Sequence, residues 1–361
     1  MKLSVTSCVG FAILCGAEAL QAQQSLVAPA AYASTDAIAY EWVAGASRPL
    51  RQQTLIGASH LATMVGHTIT SIELRRNAAN ETYAGGTAHL TVTLSIAPHA
   101  PIEGSNAFAA NIGTAVAQVF DGDVTLPLSP PPTSTTADWS TDKVIRIELD
   151  TPYTYLGGTL CVDVVGQPIP GQNANWWMAD AVFDDVPGTT TNLGGGCGSY
   201  GGPQREWAGV ASRTLVPGGY ARFFAFGPPN GLGLVVFGQR NPTPVPMWLL
   251  GLPSPQDCQL HLLTVDLLAP AIFEPENEPG LLSRGGVAEV RFKLPNLPQV
   301  LGLGMTTQWL EWSQFATSNA IEWSVATAPA TLDMALLEGH PQSPTGELSV
   351  HLAQVMRFQF Q

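Results

Sequence analysis

Val287-Ala-Glu-Val-Arg-Phe-Lys-Leu294 decides the fold class of this chain: from Ala288 onward every second residue is apolar and every residue between is charged. Successive side chains of an extended strand point to opposite faces, so this run presents one dry face and one wet face. The same grammar recurs on both sides of it. Lys143-Val-Ile-Arg-Ile-Glu-Leu149 and His89-Leu-Thr-Val-Thr-Leu-Ser-Ile96 alternate in the first half, with further strand-like runs at 70–75, 159–165 and 175–183. The second half adds 220–226, 233–237, 259–265, 305–312 and 320–325. Ala84-Gly-Gly86, Ser129-Pro-Pro-Pro132 and Leu156-Gly-Gly158 supply turns, and 36 glycines with 29 prolines leave little room for long helices. No helical crossover separates the runs, so antiparallel pairing follows. The expected class is all-β, with two tandem antiparallel β-sandwich domains of jelly-roll or immunoglobulin-like type. Two segments read differently. Phe108, Ile112, Val116 and Val119 recur at helical spacing, as a short helix or an ordered loop packed on a sheet, and Leu332 to Glu338 reads as a helical turn.

Near the middle of the 361 residues stands Thr189-Thr-Thr-Asn-Leu-Gly-Gly-Gly-Cys-Gly-Ser-Tyr-Gly-Gly-Pro203. Glycine adopts positive φ without steric penalty, and a glycine run closed by proline cannot continue a regular strand or helix. It marks the junction of two domains. The expected division is a signal peptide at 1–22, a sandwich at 25–186, a link at 187–193 and a second sandwich at 194–328. The remainder, 329–361, either adds a strand or trails as a tail.

The signal peptide rests on Lys2, the apolar run Leu3 to Gly16, which is too short for a membrane helix, and small-residue cleavage sites ending at Ala19 or Ala22. The protein is therefore expected to be exported, to the extracellular space, the cell surface or the periplasm. No later run reaches the ~18 apolar residues of a span, so no transmembrane segment is expected. Removal of Cys8 and Cys15 with the signal leaves Cys161, Cys197 and Cys258, an odd number. Cys161 lies in a β-type run that would bury it. Cys197 and Cys258 lie in glycine- and proline-rich loops able to approach each other, so a disulfide between them is expected, the alternative being three separate thiols. Closing a loop of this length is worth about 4 kcal/mol on the chain-entropy account.

The formal charge is −13, and a surface of that sign repels phosphates, with no basic cluster longer than Arg75-Arg76 to override it. Nucleic acid is excluded as a partner. The chain is 12% charged and 45% hydrophobic, a composition that packs cores and excludes wholesale disorder.

Candidates for chemistry are thin. Asp121-Gly-Asp123, and Asp180 with Asp184-Asp185, offer hard oxygens but lack the loop spacing of a calcium site, and read as turn solvation. Gly198-Ser-Tyr-Gly201 has Cys197 where a nucleophile elbow needs glycine. The seven histidines are scattered without zinc spacing. No catalytic residue, metal ligand or cofactor is nominated. Carboxylate pairs for glycoside hydrolysis come from distant strands, so sequence neither finds nor removes them. Tryptophan carries more: Trp176 and Trp177 are adjacent on one run, so one ring points inward and the other outward. An outward indole would stack a sugar ring, whereas the commoner use of such rings is to fill a core.

Gly194-Gly-Gly-Cys-Gly198, Leu250-Gly-Leu-Pro253, Asp257-Cys-Gln-Leu260, Phe292-Lys-Leu-Pro-Asn296, Thr307-Gln-Trp309 and Asn319-Ala-Ile321 together carry a resemblance. The second half resembles a module of uncharacterised exported proteins abundant in planctomycetes and other large-genome environmental bacteria. Asp257 stands where that module usually has glycine. Phe108-Ala-Ala-Asn111, Val119-Phe-Asp-Gly122 and Leu160-Cys-Val-Asp163 are similar to the sandwich that often precedes it. The resemblance implies two sandwiches and the Cys197–Cys258 bond, and implies no activity.

The leading expectation is an exported, non-catalytic structural or adhesive protein whose partners are polysaccharide or other surface proteins. A carbohydrate-binding protein using Trp176 or Trp177 is the first alternative, and a secreted hydrolase with paired carboxylates the second.

Overall fold

A computed structural model describes residues 23–37, 39–132, 137–170, 177–183, 188–198, 207–210, 215–275 and 285–361. The signal segment, Trp176, Asp184-Asp185 and Ser199 to Gln204 lie outside them. Among the described residues the protein is all-β, with only short 3-10 turns between strands, and no helix is long and apolar enough to cross a membrane.

Two sheets face each other in the first sandwich. One has six strands in the order Glu347–Ser349, Met334–Gly339, Leu50–Ile56, Thr159–Pro168, Gly86–Ala97, Thr114–Leu126. The other has four, in the order Gln24–Ala28, Met356–Phe360, Thr68–Arg75, Val144–Thr154. All neighbours are antiparallel. Leu90, Val92, Leu94, Leu160 and Val162 from the first sheet meet Ile72, Leu74, Ile145, Ile147 and Phe358 from the second in one buried core.

The end of the chain is central to this sandwich. Met356–Phe360 pairs with Gln24–Ala28 on one side and Thr68–Arg75 on the other. Leu352–Gln354 joins Met178–Phe183 in a small third sheet. The helical turn expected at Leu332 to Glu338 is instead the strand Met334–Gly339, paired along its length with Leu50–Ile56. Met334, Ala335, Leu336 and Leu337 are all buried. A strand covered on both faces is apolar throughout, and such a run has no period to distinguish it from a helix. The helical spacing at 105–120 is likewise overturned: Phe108–Asn111 is a single 3-10 turn, and Thr114–Leu126 is a strand on which Val119 is buried and Val116 is 54% exposed.

The second sandwich lies between Phe183 and Met334. Its five-stranded sheet runs Thr189–Leu193, Ala316–Ser324, Gly304–Glu311, Leu232–Gly238, Leu267–Ile272, and its four-stranded sheet Ala208–Val210, Tyr220–Gly227, Gly286–Lys293, Glu274–Pro275. Aromatic rings fill the space between: Phe223 lies 4.9 Å from Phe237 and 5.1 Å from Trp323, and Phe273 lies 6.3 Å from Trp309. Thr189–Leu193, expected as link, is an edge strand in register with Ala316–Ser324. Its run of threonines on a solvated edge has no apolar alternation to betray it.

Cys197 and Cys258 are bonded, with Cα atoms 5.1 Å apart. The bond ties the hairpin Arg240–Pro246 and Gln259–Leu262 over the outer face of the five-stranded sheet. Gly194 and Gly198 flank it with φ of +66° and +73°, so the glycine-rich turn is fixed within the second sandwich. Two buried amides add further ties, one to the hairpin and one to the opposite sheet. Gln308 accepts from the His261 N–H at 2.9 Å and donates to the carbonyls of Gln259 and Ser318, both at 2.8 Å. Asn319 accepts from the N–H groups of Trp207 and Ala208, both at 2.9 Å, and donates to the Ala208 carbonyl at 3.0 Å. Gln308 thus holds the hairpin and Asn319 holds the opposite sheet.

The outer face of the six-stranded sheet is covered as well. Leu55, Phe108, Cys161, Leu337 and Val350 pack with Val216 and Ala326 of the second sandwich. Arg222 of the second sandwich reaches Glu289 at 2.6 Å and Glu347 of the first at 3.3 Å. Burial at this contact pushes the Cys161 thiol up to about 12. Thiol titration of the purified chain beginning at Gln23 is expected to find no reactive group in the folded unreduced protein. One should appear on unfolding without reductant and three after reduction; three without reductant would contradict the disulfide.

Candidate functional site

The richest chemistry lies on the outer face of the first sandwich's four-stranded sheet. Ile72, Leu74, Ile145, Ile147, Met356 and Phe358 point into the core, so alternation sends Glu73, Arg75, Arg146, Glu148 and Arg357 outward. Part of this face is covered by the segment around Trp139. The Arg357 and Arg75 guanidinium groups lie 4.4 and 5.0 Å from the centre of the Trp139 ring, and its Nε1 donates to the Ala33 carbonyl at 2.9 Å.

Beneath that cover the charges pair. Arg357 Nε donates to Glu73 Oε2, while Arg146 Nη1 lies 3.5 Å from Glu73 Oε1 and Arg146 Nε 2.5 Å from Glu148. The Glu73 side chain is 1% exposed, so both oxygens of a buried carboxylate face guanidinium groups. Arg75 donates twice to Asp180 Oδ2, at 2.6 and 2.8 Å, and the Ala37 N–H reaches Oδ1 at 3.1 Å. Burial lifts the Asp180 carboxyl to about 7, against the opposing pull of Arg75.

Between this face and strand Thr114–Leu126 runs a cleft of about 420 Å³, lined by Glu73, Phe120, Asp123, Trp139, Arg146 and Arg357 among others. It combines two aromatic rings with planar donors and acceptors already locked in place. Ion pairs tie Glu73 to Arg357 and Arg146, and Arg146 to Glu148, while Arg146 and Glu148 stay partly exposed. A smaller hollow of about 260 Å³ opens between the sheet edges of the second sandwich, beside Trp207, Phe224 and Phe226.

Apart from Asp123, which lines the cleft, the candidate site residues read from sequence fall elsewhere. Trp177 is fully buried, donates from Nε1 to the Pro127 carbonyl at 3.1 Å and lies 5.8 Å from the Tyr83 ring. It offers no face to a ligand, which corrects the stacking role proposed for it; Trp176 is outside the described residues. Asp180 is likewise no calcium ligand in waiting, since Arg75 and a backbone N–H take its oxygens. Asp121 and Asp123 meet the two ring nitrogens of His89 at 3.1 and 2.9 Å, and the Asp123 contact raises the histidine's affinity for its proton. Cys197, Cys258 and Asp257 cluster, but both sulfurs are spent in the disulfide. His261 is buried within the hairpin strand Gln259–Leu262, and desolvation holds its pKa down.

Of the cleft residues, Arg146 and Glu148 were legible only as the wet face of an alternating strand. Trp139 stands in an irregular segment with no pattern around it, and Arg357 near the chain end belongs to the same face only through strand pairing. Comparison with known protein families, with curated proteins and with solved structures finds no match to this chain.

Removing one partner of a buried ion pair leaves the other charge uncompensated. Arg75→Ala is therefore expected to cost about 3–5 kcal/mol in denaturant unfolding. A loss under about 1 kcal/mol, the range of solvated surface pairs, would contradict the geometry.

Proposed function

We propose that the chain is an exported, non-catalytic structural or adhesive protein. One observation carries this: the apolar outer face left on the second sandwich. The disulfide-tied hairpin covers strands Gly304–Glu311 and Ala316–Ser324 but leaves Leu267–Ile272 open. There Leu268 is 48% and Ile272 51% exposed, in register with half-buried Val236 and Leu232 on the neighbouring strand. Leu263 and Val265 lead into the same stretch and are also exposed. Contiguous apolar surface of this kind is the mark of contact with another body. Pro270 sits at the middle of the edge strand and has no N–H to offer, which favours contact through the face over addition of a further strand.

The disulfide supports an oxidising compartment, and the resemblance to exported environmental proteins agrees with it. The most buried charged pairs, Arg75 with Asp180 and Glu73 with Arg357, serve construction. Carbohydrate binding, without Trp177 to rest on, passes to the cleft beside Trp139.

Fractionation of producing cells is expected to place the chain outside the cytoplasm and on the envelope. Leu268→Glu with Ile272→Glu should release it into the medium at an unchanged unfolding temperature. Cytoplasmic accumulation, or equal retention of the variant, would overturn the proposal.

A further inference from the structure

We propose that the cleft between strand Thr114–Leu126 and the outer face of the four-stranded sheet binds a neutral oligosaccharide. This gives the adhesive reading a ligand and rests on that reading only for its biological role. A sugar ring has an apolar C–H face and a rim of adjacent hydroxyls. The face calls for a flat aromatic surface held still, and the rim for planar groups that donate and accept in pairs.

Both are present. Trp139 is pinned from two directions, by its Nε1 bond to Ala33 and by the guanidinium groups of Arg75 and Arg357. Its only side-chain donor is already used, and the indole lines the cleft. Phe120 lines the cleft from the other sheet. The planar groups are Arg146 and Glu148, paired with each other, with the buried Glu73 carboxylate behind Arg146. Arg146 and Glu148 keep 45% and 63% of their side-chain surface in solvent, so they remain open to hydroxyls. Because the ion pairs already immobilise these side chains, a ligand would lose little rotamer entropy on binding them.

Charge and size select the class. Arg146 and Arg357 face Glu73, Glu148 and Asp123, a nearly balanced set with a slight negative excess, which disfavours phosphates and acidic sugars. Charged walls disfavour an apolar ligand, which would desolvate them without compensation. The volume of about 420 Å³ falls within the usual range for small-molecule clefts.

The test is calorimetric titration of the purified chain with short cello-, xylo-, manno-, laminari- and chito-oligosaccharides, with oligogalacturonate as the acidic control. At least one neutral saccharide is expected to bind, with little dependence on salt. Arg146→Gln, at a partly exposed position that leaves Glu73 paired with Arg357, and Trp139→Ala should each weaken it about tenfold or more, the loss of ~1.4 kcal/mol. No binding across the panel, binding of the acidic control alone, or affinity unchanged in both variants would overturn the proposal. Release of shorter sugars would sink the non-catalytic reading while leaving the site in place. A cytoplasmic location would sink the adhesive role without touching the binding result.

Discussion

The first sandwich depends on the pairing of the last strand, Met356–Phe360, between the first, Gln24–Ala28, and Thr68–Arg75. Its inward side chains, Met356, Phe358 and Phe360, are buried with the rest of the core. The sheet therefore has no continuous centre until the end of the chain is in place, after the whole second sandwich has been made. Contacts between residues so far apart in sequence demand loop closure before they stabilise anything, which makes for slow, cooperative assembly. The cleft inherits the same dependence. Arg357 reaches Glu73 and Trp139 only because its strand lies beside Thr68–Arg75.

The second sandwich is built by different means. Its core is aromatic, its outer hairpin is held by the disulfide and the Gln308 amide in place of a full third sheet, and the Asn319 amide ties the two sheets together. Gln308 and Asn319 satisfy backbone groups that would otherwise be buried without partners, a loss of about 1–3 kcal/mol each. These residues sit in the Thr307-Gln-Trp309 and Asn319-Ala-Ile321 segments, and Cys258 in Asp257-Cys-Gln-Leu260. These segments thus serve construction and leave other faces of the sandwich exposed. Here one such face is apolar, along Leu267–Ile272.

Strands with one wet face announced themselves: 89–96, 143–149 and 287–294 alternate, and each forms a strand close to its expected bounds. Strands without a wet face, or without a dry one, did not. Met334–Gly339 is buried on both sides and so lacks a period, and Thr189–Leu193 is polar up to its last residue. The parity of Trp176 and Trp177 showed that one ring must turn inward without showing which. The cleft was the least legible feature, since its walls come from strands near 73, 120, 146 and 357, brought together by pairing that no local pattern encodes. Only the Arg146 and Glu148 alternation and the Asp121-Gly-Asp123 turn were visible, and neither pointed to the other.

Hydrogen exchange at the amides of Met356–Phe360 tests this account most directly. If the last strand closes the first sandwich, these amides exchange only through global unfolding, as slowly as those of Thr159–Pro168 in the facing sheet. Fast exchange at 356–360 while 159–168 stay protected would show a frayed end on a sandwich already complete without it, and would contradict the account.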